Sequence, residues 1–330
     1  MISVIIPLYN VENYITDCLV SFEKQTYKDF ELIIVNDGST DDSASIVEKY
    51  SQNSNMTIRL INQKNSGVSS ARNKGIDESI GEYLCFVDSD DLVGSEYLSE
   101  MIGTITNNNC NLVICGSKFV PEDWDIRLYS YKKHPTDIMN SYEALKRFLY
   151  QEIVSGVCFI MVKREVIKAN KLYFSEGYNY SEDLEMMWKL IANSNSIAYS
   201  KNELYIYRIR KGSAMSVVDS KRMDGYYLMK GLEEYFQRVR PDFSEEFKRY
   251  GTSRWVWATL WQIVLASDNY RGFILSANKY NAKQHMKRLL SYPKFYVSMI
   301  AFLYLLSPRL YYYIMKKVGM KRLKNRALTT

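Results

Sequence analysis

At 330 residues the chain can bury a substantial core, in one large domain with an appendage or in two domains, and its 24% charged and 47% apolar content suit an ordinary globular protein. Its five cysteines are odd in number and scattered without paired metal-ligand spacing, and His134 and His285 are its only histidines, so a His-rich metal site or a Ser-His-Asp triad lacks material. The net charge of +6 is uneven: Arg309 to Thr330 holds seven basic residues and no acidic one, leaving 36 basic against 37 acidic residues elsewhere.

The opening MISVIIPLY has no basic leader region and runs straight into apolar, β-branched residues. Neither a signal peptide nor a cleavage site is expected, and a reducing, cytoplasmic setting is. ISVIIPLY (2–9) predicts a strand, Asn10 a helix N-cap, and Val11, Ile15, Leu19 and Phe22 a helix by their spacing. The pattern recurs with FELIIVND (30–37) and a helix from about Asp41, TIRLIN (57–62) and a helix from about Val68, and EYLCFVD (82–88) and a helix from about Ser95. Such alternation predicts an α/β fold with a doubly wound, mostly parallel sheet. A strand over 112–120, a helix near 141–150, an apolar stretch at 153–163, a helix from about Ser181 and a strand at 203–209 follow, after which the period is helical. The division expected is a first domain over 1–218 and a helical region over 219–330.

In a doubly wound sheet, ligands bind beyond the C-terminal ends of the strands. The polar residues of this chain gather at those ends. Asp88-Ser89-Asp90-Asp91 presents three carboxylates after one strand. Crowded carboxylates repel unless a cation neutralises them, and oxygen ligands suit Mg²⁺ or Mn²⁺ completed by substrate phosphate. The same pattern also suits a solvated acidic turn. Asp37, in VNDGSTDDS, can accept an N–H from a nucleobase edge or serve only its turn. Residues 65–73, NSGVSSARN, join a polar loop to a helix whose amides and Arg72 could face phosphate; Arg72 could equally pair on the surface. Glu182-Asp183 opens a helix, where acidic residues are favoured by the helix dipole alone, and Asp183 could act as general base on an acceptor hydroxyl.

Taken together and in order, PLYN (Pro7 to Asn10), VNDGSTDDS, NSGVSSARNKG, GEYLCFVDSDD and SEDLE resemble the signature of glycosyltransferase family 2 over about residues 1–215. The resemblance implies a GT-A fold, a nucleotide diphosphate sugar donor, a divalent metal and an inverting single displacement. It implies that Pro7 and Tyr9 line the nucleoside pocket, that Asp37 holds the uracil edge of a UDP-sugar, and that Asn65 and Arg72 help fix base and diphosphate. Asp88, with Ser89 beside it, would touch the ribose or a metal-bound water, Asp90 would bind Mn²⁺ or Mg²⁺, and Asp183 would be the base. Many relatives place a His after the YxYR segment. Here Arg210 stands in its place, and an arginine cannot ligate a cation, so Arg210 or Lys211 is expected to neutralise phosphate directly.

Near the C-terminus, FYVSMIAFLYLL (295–306) is 12 residues long, about 18 Å as a helix, where a span needs roughly 20 residues. Followed by the basic tail, it predicts an interfacial anchor on an anionic membrane surface, with a buried helix as the alternative. An anchor favours a saccharide acceptor that is lipid-linked, in bacterial capsule or cell-surface glycan synthesis, with a hexose of the Gal, Glc or GlcNAc type transferred; no nucleic-acid partner is expected. Two other readings are a nucleotidyltransferase making nucleotide sugars and a non-catalytic nucleotide-sugar-binding protein. The first usually needs a Gly-rich phosphate loop after the first strand, and PLYNVEN contains no Gly; the second gives Asp183 no task.

Overall fold

The computed structural model describes residues 1–153, 155–210, 222–223 and 225–329, with side chains described as far as Lys321. In chain order the elements are β1 (Ile2–Leu8), α1 (Ile15–Glu23), β2 (Phe30–Asn36), α2 (Ser43–Asn53), β3 (Thr57–Asn62), α3 (Val68–Glu78), β4 (Tyr83–Phe86), β5 (Leu92–Val93), α4 (Tyr97–Asn107), β6 (Leu112–Pro121) and β7 (Thr136–Asn140). They continue with α5 (Ser141–Leu149), β8 (Ile160–Lys163), α6 (Arg164–Ala169), α7 (Glu182–Ala192) and β9 (Ser196–Ile209). The remainder is helical: α8 (Gly225–Val239), α9 (Pro241–Ala266), α10 (Tyr270–Lys279), α11 (Ala282–Leu289), α12 (Phe295–Leu306) and α13 (Pro308–Thr329).

The strands form one sheet in the order β3-β2-β1-β4-β8-β6-β9-β5, with β7 also paired to β9. The block β3-β2-β1-β4 is parallel throughout. β1 and β2 are buried along their whole length, as parallel strands covered by helices on both faces must be, and this is why ISVIIPL and FELIIVN read as near-continuous apolar runs. α3 packs closely on β1: a Cβ at Gly75 would lie 2.3 Å from Ile5 Cγ2. β8 then enters antiparallel between β4 and β6, and β5 and β7 pair antiparallel with β9. Because β2 and β4 flank β1 on opposite sides, the winding reverses there, and the crevice it leaves lies past the C-terminal ends of β1 and β4.

One local expectation is corrected. Asn10 does not cap α1. It takes a left-handed backbone (φ 50°), its Oδ1 accepts from Thr40 N–H at 2.8 Å, and Val11 to Tyr14 turn once before the helix begins at Ile15 with no side-chain cap. The side chain that could have capped α1 instead braces the loop after β2.

The chain divides into two compact units, one of residues 1–144 with 153–209 and one of residues 145–152 with 210–330. The sheet belongs to the first and the helices from α8 onward to the second. Residues 145–152 join the second unit through contacts distant in sequence. Tyr292 Oη donates to Leu149 O at 2.8 Å, and the Tyr150 ring lies 5.5 Å from that of Tyr292 and 6.3 Å from that of Tyr250. The expected junction at 218/219 lies outside the described residues.

Candidate active site

Three loops of the first unit meet at the C-terminal edge of the parallel block. Pro7 is buried in β1, opposite Val35 of β2, while Tyr9, one residue past the strand, is 48% exposed. After β2, Asp37 is buried, and its carboxylate gathers the loop after β3: Oδ1 accepts from Gln63 Nε2 and Ser66 N–H, and Oδ2 from Gly67 N–H, each at 2.8 Å. Gly38 is required here twice over. Its φ is +71°, and a Cβ on it would sit 2.9 Å from Asn65 N. Asn65 itself is exposed.

The carboxylates after β4 part company. Asp91 is buried, where its Oδ2 accepts from Tyr205 Oη at 2.6 Å and its Oδ1 from Arg208 N–H at 2.8 Å. Tyr205 Oη in turn accepts from Asp88 N–H at 3.2 Å, so a single buried hydroxyl fixes both ends of the turn from β9. Burial, with the like charges of Asp90 and Asp88, pushes the Asp91 carboxyl well above the usual range. Ser89 is buried, and Asp88 and Asp90 stay half-buried at the edge.

Arg72 is buried rather than spread over the surface. Its Nη2 donates to Asp88 Oδ1 at 2.8 Å, its Nη1 lies 3.5 Å from Glu182 Oε1, and its guanidinium stands 5.3 Å from the centre of the Phe174 ring. The next residue, Asn73, holds the backbone of Phe174 at both ends, accepting from its N–H at 2.8 Å and donating to its O at 2.9 Å. ARN thus ties α3 to the loop that leads into α7, and Arg72 joins the end of β4 to the start of that helix.

Asp183 occupies the first turn of α7, half-buried. The helix is entered through Ser181 in a left-handed backbone (φ 72°), a conformation costing about 1–3 kcal/mol for a non-Gly residue that persists only where surroundings impose it. Burial raises the Asp183 carboxyl above its ordinary value, against the pull of Arg72. Burial, then the neighbouring Asp183, pushes Glu182 up to about 7, again against Arg72. Two adjacent carboxyls of raised proton affinity therefore stand at one helix start, linked by one guanidinium to the carboxylate cluster after β4.

The family model described as Glycosyl transferase family 2 matches residues 3–170. The chain belongs to glycosyltransferase family 2. Among sequence relatives, it is 35% identical over 231 residues to "Glycosyltransferase GlyA" of Streptococcus pneumoniae, covering 67% of this chain and 32% of that protein. It is 31% identical over 228 residues to "Uncharacterized glycosyltransferase EpsJ" of Bacillus subtilis, covering 68% of this chain and 65% of that one. It thus spans about a third of the first relative and just under two thirds of the second. The solved structure of S. aureus TarS 1–349 in complex with UDP-GlcNAc superposes with a TM-score of 0.73 at 22% identity, over 97% of this chain and 91% of that one, which establishes the GT-A fold with its C-terminal helical region.

Within this glycosyltransferase family 2 chain, four residues stand at the candidate site to which the motifs alone give no role. In the sequence Glu182 is only a helix-start acid, and Asp91 only one of three equivalent carboxylates. Tyr205 and Arg208 open and close the YxYR segment, which the resemblance uses only to locate Arg210 and to which it gives no role. Arg210 is half-buried and begins the second unit, and Lys211 lies outside the described residues. Among the described residues no group of three or more His, Cys, Asp or Glu side chains is placed to hold a metal by itself. The donor set fits a cation of the Mg²⁺ or Mn²⁺ type that takes phosphate and water as its other ligands, since Asp90 and Asp88 are hard oxygen donors whose mutual charge already bears on Asp91.

Proposed function

We propose that this chain transfers a hexose of the Gal, Glc or GlcNAc type from a UDP-sugar to a hydroxyl of a saccharide acceptor, with inversion at the anomeric carbon. The acceptor is lipid-linked, and the reaction takes place in the cytoplasm, at the inner face of the membrane, during surface polysaccharide synthesis. The observation that carries this reading is the linkage of Asp183, at the start of α7, to the Asp88–Asp90 cluster through Glu182 and Arg72. The UDP-GlcNAc held by TarS and the transferase names of the relatives support the donor class.

In this reading the acceptor hydroxyl meets Asp183, whose carboxylate takes the proton as the acceptor oxygen bonds to C1 and the C1–O bond to the diphosphate breaks, its electron pair leaving with UDP. The raised proton affinity of Asp183 makes it a better base than an exposed carboxylate. Asp37 has three of its lone-pair directions taken and keeps room for one more donor, the uracil N–H, with Pro7, Tyr9 and Asn65 beside the nucleoside. Arg72 acts through Asp88 and Glu182, and Arg210 meets phosphate charge. A bound Mg²⁺ or Mn²⁺, held by Asp90 and Asp88, would stabilise charge on the departing diphosphate. Holding donor and acceptor in line contributes through orientation, worth roughly 7–11 kcal/mol when well placed.

The test is incubation of the full-length protein with a panel of radiolabelled UDP-hexoses and a lipid-linked saccharide extract. Label should pass to the lipid fraction from one UDP-hexose, stop in excess EDTA and return with Mn²⁺ or Mg²⁺. Unchanged transfer in EDTA would remove the metal from the account, and synthesis of a UDP-sugar from UTP and a sugar phosphate would favour the nucleotidyltransferase instead.

A further inference from the structure

α12 contains no charged residue, and apolar side chains run all round it. Val297, Ala301 and Tyr304 are buried within the helical unit, whereas Phe295, Met299, Phe302 and Leu306 are exposed by 79%, 52%, 56% and 68%. These four follow the spacing i, i+4, i+7, i+11, a sector about 60° wide roughly opposite the buried three, and Tyr296, 44% exposed, lies to one side of it. A surface helix ordinarily turns polar residues outward, and this one does not.

α13 repeats that spacing with a change of chemistry. Leu310, Ile314, Lys317 and Lys321 are all exposed, apolar in the first half and basic in the second. Its inward side chains are Tyr311 and Tyr312, with the Tyr311 ring 5.2 Å from Tyr304 and 6.0 Å from Phe273. Lys316 is turned to the bundle, donating to Ser267 O at 3.0 Å. In the sequence three more basic residues follow, Arg322, Lys324 and Arg326.

We propose that these two outer stripes form one docking face for an anionic lipid surface, with the apolar side chains at the boundary of headgroups and acyl chains and the basic residues among the lipid phosphates. The order apolar then cationic matches the layering of a leaflet. Among the described residues no helix is long and apolar enough to cross a membrane, so the seat is on the surface. A second copy is a poor occupant, because two such tails, each with seven basic residues and no acidic one, would repel when brought face to face. The inference concerns the helical unit alone and does not depend on the transfer reaction.

Co-sedimentation of full-length protein with vesicles tests it, using equal parts of phosphatidylcholine and phosphatidylglycerol against phosphatidylcholine alone, at low and high salt. The protein should sediment with the anionic vesicles and be partly released by salt. Met299→Glu with Phe302→Glu, and separately Lys317→Glu with Lys321→Glu, should each weaken this binding at least about tenfold, with circular dichroism and mass in solution unchanged. Failure of the wild type to sediment with anionic vesicles at low salt would overturn the proposal, as would equal binding of wild type and both variants. A wild-type dimer that becomes monomeric in the Met299/Phe302 variant would assign the face to a second copy instead.

Discussion

At the C-terminal edge of the sheet, the charged side chains that matter are held by named partners: Asp37 by three donors, Asp91 by two, and Arg72 between two carboxylates. On α12 the most exposed side chains are Phe295, Met299, Phe302 and Leu306, with Tyr296 exposed beside them, and what they meet is solvent. The contrast separates two ways in which a fold serves function. A reacting site must be organised before its substrate arrives, since dipoles already in place cost nothing to reorient during reaction. A docking face is complete only when its partner comes, and its mark is apolar area left uncovered.

The largest effect should come from the base. Asp183→Asn removes the proton acceptor while keeping the shape, so turnover should fall by roughly 10²–10⁴ with UDP affinity kept within a few-fold. Steady-state kinetics beside calorimetric UDP titration would check this, and near-normal turnover would break the assignment. Next is the turn after β4. Tyr205→Phe strips Asp91 Oδ2 and Asp88 N–H of a shared buried partner and should cost about 1–3 kcal/mol in urea unfolding. Asp90→Ala should cost less stability but weaken metal-dependent UDP binding. If the two variants exchanged these outcomes, the division between a structural Asp91 and a ligand-facing Asp90 would be wrong.

How far the residues alone foretold this arrangement depended on whether a feature was local. The parallel block was legible because each strand is a buried β-branched run followed by a helix of regular spacing, and the carboxylates after β4 stood out because three charges in four residues are unusual at the end of such a run. β8 was not legible as an antiparallel insertion, since three apolar residues and a lysine carry no direction. The split between Asp90 and Asp91 was hidden as well, because it is decided by Tyr205 and Arg208, more than a hundred residues away along the chain. Arg72 showed only its charge; that it bridges Asp88 and Glu182 depends on how α3, β4 and α7 pack.

A smaller effect concerns pH. Burial raises the Asp183 carboxyl, and the base works only when ionised, so kcat/KM should fall on the acid side through a limb lying above the ordinary carboxylate range. Arg72 opposes that rise, so Arg72→Met should move the limb to still higher pH; a shift downward would contradict the linkage. The smallest effect should be at the docking face. Phe302→Glu, at an exposed position, should change unfolding free energy by no more than about 0.5 kcal/mol. A loss of several times that size would mean that α12 is covered within the folded chain and that the contrast between the two regions fails.

The most direct measurement is the anomeric configuration of the product, read by proton NMR after transfer from the preferred UDP-hexose, with Asp183→Asn run beside the wild type. The account requires a linkage of configuration opposite to the donor's and little product from the variant. A product that keeps the donor's configuration, or one formed at undiminished rate without the Asp183 carboxylate, would contradict it.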